Sequence, residues 1–197
     1  MFVASRALAG AALALVGVAA TLPAQAASAA PSASGVAPAA GIRKELTQEL
    51  EDAERKLVGL AQATPQEKYG WRPAAGVRSV SEVFMHVAGA NFMIPGFAGV
   101  KRDKGVALSR DMETTVTDKA QVIDLLKKSF AYAKQAIGDV PDGELDAPVK
   151  LFGQASTKRG TLVLLTTHAH EHVGQSIAYA RMNGIVPPWS QGASGDR

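Results

Sequence analysis

Apolar residues recur three and four positions apart in four stretches of the chain, and the residues between them are mostly charged or polar. Over residues 42–63 the repeating positions are Ile42, Leu46, Leu50, Ala53, Leu57 and Leu60, separated by Arg, Lys, Glu and Gln. That spacing predicts a helix with one apolar stripe. Thr64-Pro65-Gln66-Glu67 reads as a capping box with proline at the first helical position, and predicts a short turn of helix ending near Gly70 and Pro73. A second capping box, Ser79-Val80-Ser81-Glu82, opens the next long helix, which runs toward Pro95 with an inward seam of Val83, His86, Ala90 and then Met93 or Ile94. Residues 101–116 are polar and irregular. Thr117 or Asp118 caps a third long helix ending near Ile137, with Val122, Leu125, Leu126, Phe130 and Ala133 turned inward. After Gly138 and Pro141 comes a long connection, with an extended piece expected around residues 149–152. The fourth long helix covers residues 160–183, and Gly184 and Pro187-Pro188 end it. No stretch has a convincing strand alternation and there is no internal repeat. Four amphipathic helices with little strand predict an all-α helix bundle.

The first forty residues do not share this patterning. Arg6 precedes an apolar run over residues 7–20, then Pro23 and the small-x-small site Ala24-Gln25-Ala26. This has the order of a secretory signal peptide, and the run is shorter than the roughly 20 residues a membrane span needs. Residues 27–40 are almost all Ala, Ser, Pro and Gly, a composition unable to offset chain entropy by burial, so they read as a disordered linker. The expected organisation is a signal peptide over 1–26, this linker, a single helical domain over 41–190 and a loose tail over 191–197. The expected location is outside the cytoplasm, periplasmic or secreted, with no membrane attachment after cleavage. With no cysteine, the domain cannot use disulfides and must rely on its core or on a metal. The net charge is +3, and neither basic cluster, residues 101–104 or Lys127-Lys128, is interleaved with aromatics, which argues against a nucleic-acid partner.

The sequence has four histidines, and His168, His170 and His172 lie within five residues. His168 and His172 are one helical turn apart, so both imidazoles share a face, with Cβ atoms roughly 5–6 Å apart. They fall on the seam Leu165, His168, His172, Gln175 or Ser176, Tyr179, which is the inward stripe of the last helix. His86 occupies the equivalent stripe of the second. Several buried imidazoles are difficult to satisfy by hydrogen bonds alone, and a divalent ion resolves the problem because neutral imidazole is a favoured ligand for zinc and nickel. The alternative is a set of ordinary core histidines. His170 points the other way and is expected to be solvent-exposed.

The segment Val83-Phe84-Met85-His86-Val87-Ala88-Gly89-Ala90-Asn91, followed much later by His168-Ala169-His170-Glu171-His172-Val173-Gly174-Gln175, resembles the DinB-like family. Trp71-Arg72-Pro73 and Arg78-Ser79-Val80 are similar to that family's approach to its second helix. The resemblance covers residues 42–189. It implies an up-down-down-up four-helix bundle in which His86 stands beside His168 and His172 as a three-histidine metal site. Many relatives carry arginine where Val173 stands here, a departure that leaves the expected ligands alone but touches any anion bound nearby.

Three protein ligands leave a fourth position on the ion for water or substrate, as in catalytic sites. Asn91, Gln175 and Glu171 are the candidates to hydrogen-bond a ligand or to support an imidazole. Tyr179 and Arg78 read as packing and surface groups, and Trp71 and Trp189 as covers for the bundle ends. The family includes metal-dependent transferases and isomerases that use low-molecular-weight thiols. The expected function is therefore an exported metal-dependent hydrolase or transferase acting on a small molecule, in which a homodimer is compatible with the family. The alternative is a non-catalytic bundle, stabilised by metal, with a stress-response or partner-binding role.

Overall fold

The computed structural model describes residues 39–101 and 111–191. The expected signal peptide, residues 27–38 of the expected linker and residues 192–197 of the tail lie outside the described residues. Among the described residues, five α-helices carry the fold: α1 Ala39–Ala63, α2 Val80–Met93, α3 Met112–Thr115, α4 Lys119–Asp139 and α5 Lys158–Met182. The first begins two residues inside the span read as linker, because Ala39 and Ala40, residues of the highest helix propensity, extend it toward the N-terminus. No helix among the described residues is long and apolar enough to cross a membrane.

The four long helices share one core. α1 packs against α4 and α5, and α2 packs against the same two, so α4 and α5 both lie between α1 and α2. Leu50 and Leu57 of α1, Phe84 and Met85 of α2, Leu126 and Phe130 of α4, and Leu162 and Leu165 of α5 are all buried there. The expectation that every helix is amphipathic fails at α2. The short helix α3 and a 3-10 turn, Ile94–Ala98, also pack on it, and even Val87, Ala88 and Phe92, off the inward seam, are buried. The seam closes on the buried Ile94, whereas Met93 is exposed.

Caps decide where the helices start. At α2 the reciprocal box forms as its sequence predicts: Ser79 Oγ accepts from Glu82 N at 3.3 Å, and Ser79 N donates to Glu82 Oε2 at 2.7 Å. Asp118 caps α4 by accepting from Gln121 N at 3.0 Å, and Thr157 caps α5 by accepting from Gly160 N at 3.0 Å. The expected box at Thr64-Pro65-Gln66-Glu67 does not form. Thr64 Oγ1 donates back to Leu60 O at 2.8 Å and so finishes α1, leaving only a three-residue 3-10 turn, Gln66–Lys68, after Pro65. A hydroxyl already donating within the preceding helix is not turned toward the next one.

The extended piece expected around residues 149–152 is present, but as one strand of a hairpin that an all-α fold leaves out. The connection between α4 and α5 holds an antiparallel hairpin, β1 Pro148–Leu151 paired with β2 Gln154–Thr157, in a register that sets Leu151 opposite Gln154. Its two-residue turn, Phe152-Gly153, has positive φ at both positions, 48° and 84°, as a primed hairpin turn requires. Glycine adopts that conformation freely, while phenylalanine does so with strain. Phe152 packs on Phe97 with ring centroids 4.8 Å apart and remains 58% exposed.

Candidate metal centre

His86 lies on the second turn of α2, placed by the Ser79 cap. His168 and His172 lie one turn apart in the middle of α5, which packs against α2. The fold brings all three rings together: ring centroids are 5.1 Å apart for His86 and His168, 4.8 Å for His86 and His172, and 4.6 Å for His168 and His172. One nitrogen from each of the three lies within 4.8 Å of the others. His172 is buried, and the other two are half-buried.

The outward nitrogens are braced. His86 Nδ1 donates to Glu113 Oε2 at 3.1 Å, and His172 Nδ1 donates to Gln175 Oε1 at 2.7 Å. A carboxylate and an amide oxygen only accept, so these contacts fix each proton on Nδ1 and leave Nε2 with a free lone pair. His86 Nε2 faces His168 Nε2 at 3.2 Å. His168 Nδ1 is buried with no hydrogen-bond partner. Burial foremost, then the neighbouring imidazoles and Arg78, push the His168 ring down to about 4 from its ordinary 6.5, so it is neutral near pH 7. Burial and the Arg78 charge likewise lower His86, against the opposing hydrogen bond that it donates to Glu113. Two imidazoles whose outer Nδ1–H is held by an acceptor, with a third ring turned toward them, are a donor set that suits a first-row divalent ion. The residues present fit such an ion.

The other expected site residues divide. Gln175 touches the cluster through His172, and its Nε2 also donates to Tyr179 OH at 3.1 Å. Asn91 does not: fully buried, it donates to Ser129 Oγ on α4 at 3.1 Å, because five residues past His86 it has rotated off the histidine face. Glu171 is exposed, offset from that face by its position beside His172. His170 is not free in solvent; it is half-buried, with Nε2 3.0 Å from Glu49 O on α1. Trp71 packs edge-on against Tyr179, rings 5.4 Å apart, and Trp189 is largely exposed. Sequence reasoning missed Glu113, which comes from the short helix in the stretch read as irregular, and misread Arg78, whose Nε donates to Glu113 Oε1 at 2.5 Å. The only signal for Glu113 was indirect, since a ligand histidine needs an acceptor on its far nitrogen and no residue of α2 supplies one.

The fold and cluster define a helical protein in which two helices bring three histidines to one point, able to hold a divalent metal ion. The chain belongs to the DinB superfamily, which matches residues 49–176. It is similar to the crystal structure of a DinB-like protein from Bacillus cereus, with 21% identity and a TM-score of 0.63, over 76% of this chain and 95% of that one. A DinB-like protein from Bacillus subtilis is similar at 17% identity and a TM-score of 0.56, over 72% of this chain and 93% of that one. A conserved protein from Enterococcus faecalis follows at 15% identity and a TM-score of 0.57, over 71% and 95%. At these identities the likeness is one of fold. Among curated proteins there is no match.

Proposed function

We propose that this protein is an exported metal-dependent enzyme of hydrolase or transferase type, holding one zinc or nickel ion on His86, His168 and His172 with a fourth position open to a small-molecule substrate. The observation that carries the reading is the bracing of His86 by Glu113 and of His172 by Gln175, which aims both remaining nitrogens at one point. Membership of the DinB superfamily supports it, as does the meeting of one nitrogen from each histidine within 4.8 Å. We read the four long helices as an up-down-down-up bundle, a reading their pairing supports. Bound there, the ion would supply Lewis acidity toward an oxygen or sulfur atom of the substrate. The chain's own part is positional: Glu113 and Gln175 hold two rings in register, and His168 keeps its proton off near pH 7. The half-exposed His86 and Glu113 leave that side open to solvent. Export rests on the order of residues 1–26, and a homodimer on the family resemblance; we assign no nucleic-acid or membrane partner to the processed chain.

A second reading, a non-catalytic bundle stabilised by its ion, draws on the burial of His172 in the inward stripe of α5. One set of measurements separates the possibilities. The untagged protein and His168→Ala are assayed for metal per chain and melted with and without chelator. About one ion per wild-type chain, lost in the variant, is expected for a three-histidine site. No metal in either protein, with identical melting, would overturn both readings. Metal without turnover on ester, amide and thiol-transfer panels would leave the second, and full-length chain retained in the cytoplasm on fractionation would overturn export.

A further inference from the structure

Arg78 immediately precedes the cap of α2, and two hydrogen-bonded routes run from it to the histidines. Through its side chain, Nε donates to Glu113 Oε1 at 2.5 Å, while Glu113 Oε2 accepts from His86. Through its backbone, Arg78 O accepts from Tyr179 OH at 3.2 Å, that hydroxyl accepts from Gln175 Nε2, and Gln175 Oε1 accepts from His172. Arg78 is thus fixed at the rim of the cluster, one carboxylate away from His86. Its side chain is 42% exposed, and its two terminal nitrogens have no hydrogen-bond partner among the described residues.

Such an arrangement has a charge consequence. Three neutral imidazoles do nothing to offset a divalent ion, and the Glu113 carboxylate beside them is already matched by Arg78. Any ion held at the histidines therefore leaves a positive rim without a compensating carboxylate, and an anion is attracted to it. With Nε committed to Glu113, the guanidinium presents its outer edge, two parallel N–H donors in the geometry that accepts a carboxylate through both oxygens. The Glu113 contact also holds the side chain in place beforehand, which reduces the ordering cost of binding. Trp71 is set edge-on against Tyr179, whose hydroxyl donates to Arg78 O, so it lies within the same set of contacts.

We propose that Arg78 seats a carboxylate of the ligand of this site, so that the substrate class is a small carboxylic acid whose second donor atom reaches the histidines. The inference rests on the metal reading above and is tested so that the two fail separately. The full chain carrying Trp189→Phe, in which Trp71 is the remaining tryptophan, is loaded with cobalt(II). It is titrated with succinate, acetate and phosphate, reading tryptophan fluorescence and the visible cobalt spectrum. Succinate is expected to bind about tenfold more tightly than acetate, the increment of one charge-assisted contact. Arg78→Gln should remove that advantage, read as the succinate-to-acetate ratio within the same variant, and Arg78→Lys, which keeps the charge without the planar fork, should retain only part of it. Equal affinities for succinate and acetate in the parent chain, or a preference unchanged in Arg78→Gln, would overturn the assignment. Phosphate binding tighter than succinate would overturn the carboxylate class. If cobalt does not bind, the metal reading fails on its own, and the fluorescence titration of the metal-free chain decides Arg78: a succinate response lost in Arg78→Gln sustains it, and no response overturns it.

Discussion

The amide of Gln175 serves two neighbours at once, accepting from His172 Nδ1 and donating to Tyr179 OH. Gln175→Ala removes the acceptor that aims the His172 ring without opening the core, since Gln175 is itself only half-buried. Metal affinity should fall about 10- to 100-fold, the usual effect of losing a ligand's supporting contact, while the melting temperature of the metal-free protein barely moves. Competition with a chromophoric chelator measures the first, and unchanged affinity would contradict the bracing role. The protonation of His168 gives a second expectation. Its ring lies near 4 in the folded chain against 6.5 ordinarily, so above pH 6.5 it is neutral both folded and unfolded. Between 6.5 and about 4 the unfolded chain takes up a proton that the folded ring refuses, and stability declines as pH falls through that window before levelling. His86 acts in the same direction. Urea midpoints of chelator-treated protein should therefore drop across this range, and His168→Ala should flatten the slope. The pairing of His168 with His172 was legible because helical spacing alone puts them on one face. Glu113 and Arg78 were not legible: they serve the histidines across tertiary contacts, and a carboxylate on a four-residue helix or a residue ahead of a cap has no periodicity to read.

At the scale of elements, side-chain chemistry at helix ends was the most readable feature and also a source of error. Ser79 and Glu82 cap each other as expected, yet Thr64 and Glu67 show the same pattern and form no box. The pattern specifies which groups are able to pair, while the competing acceptor at Leu60 O decides whether they do. Of the hairpin, the first strand was foreseen as the extended piece expected around residues 149–152, while its partner strand and turn were not. Its strands are four residues each, too short for alternation to register, and its turn is Phe-Gly instead of Asn-Gly. Phe152 held at φ 48° costs roughly 1–2 kcal/mol, which its contact with Phe97 offsets by about 0.5–1.5 kcal/mol. Phe152→Asn alone should therefore leave stability within about 0.5 kcal/mol of the parent, whereas in a Phe97→Ala background the same change should stabilise by about 1 kcal/mol. Denaturant unfolding of the four proteins closes the cycle; equal effects in both backgrounds would show that the rings do not compensate the turn.

At the scale of the whole molecule, periodicity gave four long helices and their inward faces but had no means of saying which helices are neighbours. That His86 meets His168 and His172 depends on α2 lying against α5, and that adjacency was available only through resemblance to a family. The near-complete burial of α2 was also invisible, since the helix α3 and the turn after Met93 that cover it carry no pattern of their own. The adjacency has a further consequence for a chain without cysteine. His86 and His168 stand 82 residues apart in sequence. An ion gripped by both ends would tie a loop of that length in any state that retained it, removing denatured-chain entropy as a disulfide does, on the order of 4 kcal/mol for a loop of this size. A metal site read first as chemistry would then also be a reversible cross-link, present when the ion is supplied and absent when it is withdrawn.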